Sequence, residues 1–124
     1  MINRLAIIGV GLIGGSLSLA LKKAGQVGEV IGYSRTESVR QEALDLGVID
    51  RAASSIADAV KDADVIFLAV PMGAMASVLT ELAPHLKDNT IITDGGSAKA
   101  QVVAAARATL GKRFSQFVAG HPIA

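Results

Sequence analysis

Apolar and polar positions along this chain alternate between two periods. Leu5-Ala6-Ile7-Ile8 is a short unbroken apolar run, the pattern of a strand covered on both faces. From Leu12 to Ala24 the period turns helical, with Ile13, Leu17, Ala20, Leu21 and Ala24 on one face and Lys22 and Lys23 off it. Gly25 supplies the stop. Glu29 to Tyr33 reads as a second strand, and Thr36 caps a helix that runs to about Leu46 and closes at Gly47. A weak strand over Val48 to Ala53 and a short helix over Ser55 to Lys61 come next. Val65 to Val70 is the clearest strand, and Pro71 ends it. Helical spacing returns from Met75 to Leu82, followed by a strand over Thr90 to Asp94. An Ala-rich helix over Ala98 to Leu110 and a short strand over Phe117 to Ala119 complete the pattern. Strands alternating with helices at this spacing predict βαβ units, and hence an α/β class protein with a doubly wound parallel sheet.

Composition narrows the function classes. At 124 residues the chain is one domain spanning 1–124, and 51% hydrophobic with 19% charged residues excludes intrinsic disorder. Twelve basic against eleven acidic side chains give +1, which leaves no electrostatic footprint for nucleic acid or an anionic membrane. No apolar run reaches the roughly 18 positions of a membrane span, and Met1-Ile2-Asn3-Arg4 is not the start of a signal peptide. The expected location is therefore cytoplasmic. Without cysteine there are no disulfides, thiolate metal sites or thiol catalysis, and Asp58, Asp62 and Asp64 lack metal-ligand spacing, so no metal is expected. With 3% aromatics and no Trp the core has to be aliphatic. The chain stops at Ala124 without a closing helix, which reads as truncation from a longer protein.

Gly9-Val10-Gly11-Leu12-Ile13-Gly14 fits G-x-G-x-x-G, and it follows the first strand and opens the first helix, the context this motif requires. In a Rossmann dinucleotide-binding domain Gly9 makes the tight turn, Gly11 lets the backbone approach a pyrophosphate, and Gly14 lets helix and strand pack closely. The free N–H groups at the helix start, over Leu12, Ile13 and Gly14, then hold the phosphates. The competing reading is a glycine-rich turn without a ligand, and the strand and helix on either side argue against it.

The end of the second strand bears on the cofactor. An NAD-preferring domain usually carries Asp or Glu there for the ribose hydroxyls. Here Tyr33-Ser34-Arg35-Thr36 has no carboxylate, and an Arg between two hydroxyls suits a 2′-phosphate. This favours NADP, with NAD the second choice and a solvated Arg35 the alternative.

Three further segments follow strands: Pro71-Met72-Gly73, directly after the cofactor-binding candidate Val70, Gly95-Gly96-Ser97 and Gly120-His121-Pro122. With strand order 3-2-1-4-5-6 the glycine loop, Val70, Pro71, Ser97 and His121 line one cleft at the carboxyl ends of the strands. His121 is then a candidate proton acceptor, with an unperturbed pKa near 6.5. Ser97 is a candidate to hold a substrate or ribose oxygen. A structural histidine and a helix-capping serine stand against these roles with equal weight. His85, beside Pro84, reads as exposed.

Four segments in order resemble the prephenate/arogenate (cyclohexadienyl) dehydrogenase family of tyrosine biosynthesis. They are Ile7 to Leu17, Asp64 to Pro71, Thr93-Asp94-Gly95-Gly96-Ser97-Ala98-Lys99 and Gly120-His121-Pro122-Ile123-Ala124. The glycine loop is generic to many dehydrogenases, and the last two segments together are far more specific. The resemblance implies oxidative decarboxylation of prephenate or arogenate, with hydride passing to a nicotinamide cofactor while carbon dioxide leaves. It implies that His121 takes the proton of the substrate hydroxyl and that Ser97 contacts the same group. It also implies a helical second domain beyond Ala124, through which the full enzyme forms a homodimer and which brings an arginine for the substrate carboxylate. Ser34-Arg35 departs from the family's usual acidic residue. Two other readings stand beside this one: another small-substrate NAD(P)-dependent dehydrogenase or reductase, and a stand-alone NAD(H)-sensing module.

Overall fold

The computed structural model describes residues 2–9, 12–94 and 106–118. In chain order they form β1 (Ile2–Ile8), α1 (Leu12–Lys23), β2 (Val27–Tyr33), α2 (Glu37–Asp45), β3 (Arg51–Ala52), α3 (Ile56–Val60), β4 (Val65–Leu68), α4 (Met72–Leu82), β5 (Ile91–Asp94) and β6 (Phe117–Val118). Residues 106–110 are helical, and short 3-10 turns cover Ala83–His85 and Gly111–Gln116. The six strands make one parallel sheet in the order β3-β2-β1-β4-β5-β6.

Alternation along β1 shows why both faces of the sheet must be covered. Ala6 and Ile8 point into one cluster with Ile31, Ile66, Leu68 and Ile92, packed against Val60, Met75, Leu79 and Leu82 of α3 and α4. Leu5 and Ile7 point into the other with Val30 and Phe67, packed against Ala43, Val48, Ile49 and the partly buried Leu17 and Leu21 of α1. A strand between two helical layers has no polar face, so its sequence reads as a continuous apolar run. Among the described residues the core is aliphatic apart from Phe67, Phe117 and Met75.

Glycine ends α2 as the pattern predicts. Gly47 takes φ +73°, its N–H donates to the Leu44 carbonyl (3.1 Å), and the Val48 N–H donates to that of Ala43 (3.0 Å). This closes off the last carbonyls of the helix and steers Val48 into the core. Thr36 precedes α2, but its side chain makes no capping bond. Ser55 caps α3, its Oγ accepting from the Asp58 N–H at 3.0 Å.

Several boundaries differ from the pattern. β2 starts two residues early, and at Gly28 a Cβ would stand 2.7 Å from the Asn3 carbonyl oxygen. β3 is only Arg51–Ala52, because Asp50 takes the place of a longer ladder: its N–H donates to the Val30 carbonyl and its Oδ2 accepts from the Val30 N–H, both at 2.8 Å. β4 stops at Leu68, although the Ala69 N–H still reaches the Ile8 carbonyl at 2.8 Å. α4 begins at Met72, directly after Pro71. Of the expected helix over Ala98 to Leu110, only 106–110 lies within the described residues. No helix among the described residues is long and apolar enough to cross a membrane.

Candidate functional site

Parallel strands point their carboxyl ends the same way, and the edges of β1, β2 and β4 meet where the strand order reverses. Gly9 leaves β1 at φ +86° and donates its N–H to the Tyr33 carbonyl at 2.7 Å, joining the exits of β1 and β2. A Cβ on Gly9 would stand 2.6 Å from the Ala69 carbonyl oxygen and 2.8 Å from Val70 Cγ1. The residue is therefore fixed twice, by its turn and by the exit of β4 against it. Gly11 lies outside the described residues. Leu12, Ile13 and Gly14 form the first turn of the 12-residue α1, where backbone N–H groups have no partner within the helix.

A cleft of about 640 Å³ opens between these exits. One lip is Tyr33, Ser34, Arg35 and Thr36, and the other is Ala69, Val70 and Pro71. Ile8, Ile56 and Val78 supply apolar wall, and Ala74, Ser77 and Glu81 of α4 complete the lining. The sequence-predicted Gly9, Ser34, Arg35, Thr36, Val70 and Pro71 are thus brought together around one space. Arg35 and Glu81 are its charged lining residues, and both are exposed. Arg35 makes no hydrogen bond or ion pair among the described residues. The cleft thus sets an apolar wall beside hydroxyls, one guanidinium and one carboxylate, the mixture of an apolar surface with a few polar groups that small-molecule sites use.

The lip over 33–36 is tied down from three directions. Gly9 holds the Tyr33 carbonyl, Ser34 Oγ accepts from the Thr36 N–H at 3.3 Å, and Arg40 Nη1 of α2 donates to the Ser34 carbonyl. The Arg40 guanidinium also lies 5.9 Å from the centre of the Tyr33 ring. The sequence reading missed Arg40, Ser77 and Glu81. The one available signal was that Arg40 is four positions after Thr36, one helical turn beyond the lip.

β5 ends at Asp94 and β6 at Val118, on the edge of the sheet where Gly9 sits. Ser97 and His121 lie outside the described residues. His85 is exposed and lines a separate depression of about 410 Å³ with Asp58, Lys61, Asp62 and Lys87. The charges there engage local partners. Lys87 Nζ reaches the Asp62 carbonyl (3.3 Å) and the Asp64 carboxylate (3.7 Å), and Arg51 bonds Asp58 at 3.0 Å.

Comparison with known proteins follows the same outline. The family model described as "Prephenate dehydrogenase, nucleotide-binding domain" matches residues 17–124. A prephenate dehydrogenase of Bacillus subtilis is 40% identical over 125 residues, which is 100% of this chain and 33% of the relative. The crystal structure of prephenate dehydrogenase from A. aeolicus with hydroxyphenyl propionate and NAD+ aligns with a TM-score of 0.87 and 32% identity, covering 99% of this chain and 42% of that one. Synechocystis arogenate dehydrogenase aligns with a TM-score of 0.82 and 31% identity, covering 96% of this chain and 40% of that one. The chain therefore spans about a third to two-fifths of the length of these relatives.

Proposed function

The chain belongs to the prephenate dehydrogenase nucleotide-binding domain family, and on that premise we propose that it binds a nicotinamide dinucleotide, NADP in preference to NAD, for an enzyme that oxidatively decarboxylates prephenate or arogenate. The observation that carries the cofactor reading is the cleft at the strand exits, in which Arg35 makes no hydrogen bond or ion pair among the described residues. Gly9 and Gly11, with the N–H groups of Leu12, Ile13 and Gly14, hold the pyrophosphate. Ser34, Arg35 and Thr36 receive the 2′-phosphate, and Val70 and Pro71 close the opposite side.

When bound, the nicotinamide supplies the hydride acceptor. The chain's own contribution to the reaction lies at His121 and Ser97, assigned from the resemblance of their segments. His121 takes the proton of the ring hydroxyl as hydride leaves the same carbon, and Ser97 bonds the same oxygen. Loss of carbon dioxide then makes the ring aromatic, and the proton is available to the phenolate that results. The same proposal includes a cytoplasmic setting, no nucleic-acid or membrane partner, and a homodimer formed through the remainder of the enzyme.

Calorimetric titration of the chain with NADP and with NAD tests the cofactor reading. NADP is expected to bind more tightly, and Arg35→Ala to remove the difference, a loss of about 1.5–3 kcal/mol confined to NADP. A wild-type chain that binds NAD equally or better overturns the preference.

A further inference from the structure

We propose that Arg40 is a positioning residue for dinucleotide selectivity, acting through the main chain of the 33–36 lip on Arg35; the proposal rests on the NADP reading above.

Arg40 lies in the first turn of α2, its backbone N–H bonded to the Thr36 carbonyl at 3.2 Å. Its side chain turns back towards β2, gives a hydrogen bond to the Ser34 carbonyl and sets its guanidinium against the Tyr33 ring. Both partners line the cleft, whereas Arg40 is not among the lining residues. The guanidinium is half-buried, and its stacking distance of 5.9 Å is within the range where an arginine is attracted to an aromatic face.

The position of these contacts gives them their consequence. Arg35 is bracketed by Ser34 and Thr36 and makes no hydrogen bond or ion pair of its own among the described residues. The main chain on either side therefore fixes where its side chain starts and which rotamers reach the cleft. Thr36 does not cap α2 with its side chain, so the lip does not gain rigidity in that way. The bond from Arg40 fixes the carbonyl directly before Arg35 and joins the lip to a helix. A lip ordered before the ligand arrives loses less freedom on binding, and more of the phosphate contact then appears as affinity. An NAD molecule, without a 2′-phosphate, draws no such benefit from Arg35.

The test is a thermodynamic cycle read by NADP and NAD dissociation constants in the wild type, Arg35→Ala, Arg40→Met and the double variant. Arg40→Met keeps an unbranched apolar stem and removes the donors and the charge. It is expected to weaken NADP by ~3–10-fold, the worth of one hydrogen bond, and to leave NAD within about twofold. In the Arg35→Ala background the same change is expected to weaken NADP by no more than about twofold, because the charged residue it positions is gone and only the Ser34 and Thr36 hydroxyls remain. Equal weakening of both cofactors would show a general structural role and overturn the proposal. Losses that multiply in the double variant would make Arg40 an independent phosphate contact and overturn it equally. An unchanged NADP affinity in Arg40→Met, in a wild type that prefers NADP through Arg35, sinks this inference alone. A wild type without NADP preference sinks it together with the reading on which it rests. If Arg40→Met fails to fold, Arg40→Gln, which is shorter and uncharged, carries the same comparison.

Discussion

At Gly9 the absence of one carbon atom lets two strand exits meet. Its φ of +86° alone would cost a side chain-bearing residue about 1–3 kcal/mol. The added Cβ would also press on the Ala69 carbonyl at 2.6 Å, a backbone atom that cannot swing aside. Gly9→Ala is therefore expected to destabilise the fold by at least that amount in denaturant unfolding. Gly47→Ala, at a site with similar φ and open space, is expected to cost only what the φ does, about 1–3 kcal/mol, and less than Gly9→Ala. Equal costs at the two positions would mean that the Ala69 contact contributes nothing. Sequence spacing marked Gly9 as a turn, because a motif is a local object. The approach of Ala69 depends on the register of β1 against β4, sixty residues on, and no local pattern carries it. Arg35 was legible for the same reason as Gly9, by its place after a strand. Arg40 was not, since its turn back to Ser34 is a rotamer choice made in the folded molecule.

Among the elements, β3 shows how a side chain can substitute for a ladder. Asp50 takes the Val30 N–H just before the pairing of Ile31 with Arg51 begins, and its other carboxylate oxygen accepts from Lys22 Nζ of α1 at 2.8 Å. One carboxylate thus fastens a helix and an outer strand to β2. Burial pushes the Asp50 carboxyl up, but the Lys22 hydrogen bond, the Val30 N–H and the Lys22 charge outweigh it and hold the group below its ordinary value of 3.8. Asp58 is held below it as well, first by the Ser54 N–H and then by the Arg51 hydrogen bond. A carboxyl depressed on folding adds stability that is fully present above its unfolded pKa, about 3.8, and is lost as pH falls through the lower folded value. Asp50→Ala is expected to cost about 1–3 kcal/mol at neutral pH, by leaving the N–H of buried Val30 without its acceptor. The variant's stability should also fall less steeply below pH 3.8 than the wild type's, as measured by unfolding across that range. An unchanged acid limb would remove Asp50 from this role. Element kinds were legible because burial on both faces leaves a strong apolar signal. Their ends were not. Gly28 reads as a strand breaker yet sits inside β2, where its close approach to Asn3 leaves no room for a side chain. The first turn of α4, Met72-Gly73-Ala74, carries too little apolar period to announce a helix.

For the molecule as a whole, the order of all six strands was legible, since parallel βαβ units of this length have few ways to connect. The relatives are more than twice as long as this chain, so a catalytic role of His121 is tested in the whole gene product. In the complete gene product, His121→Asn is expected to retain cofactor affinity and fold while turnover falls by about 10²–10⁴-fold. The wild-type rate should rise with pH as the imidazole becomes neutral, and that limb should be missing from the variant. A lowered melting temperature with the limb retained would identify a scaffold histidine instead. The cleft has one more property, which follows from the reversal of strand order between β3 and β4. Gly9 and the lip at 33–36 come from the chain before Ala53, whereas Ala69, Val70, Pro71 and α4 come from the chain after it. The two lips belong to successive pieces of one polypeptide, so a ligand that touched both would work as a clasp between them. Contact with both lips at once would require the two pieces to be docked, so such a ligand would favour the closed sheet over a chain in which only one piece is folded.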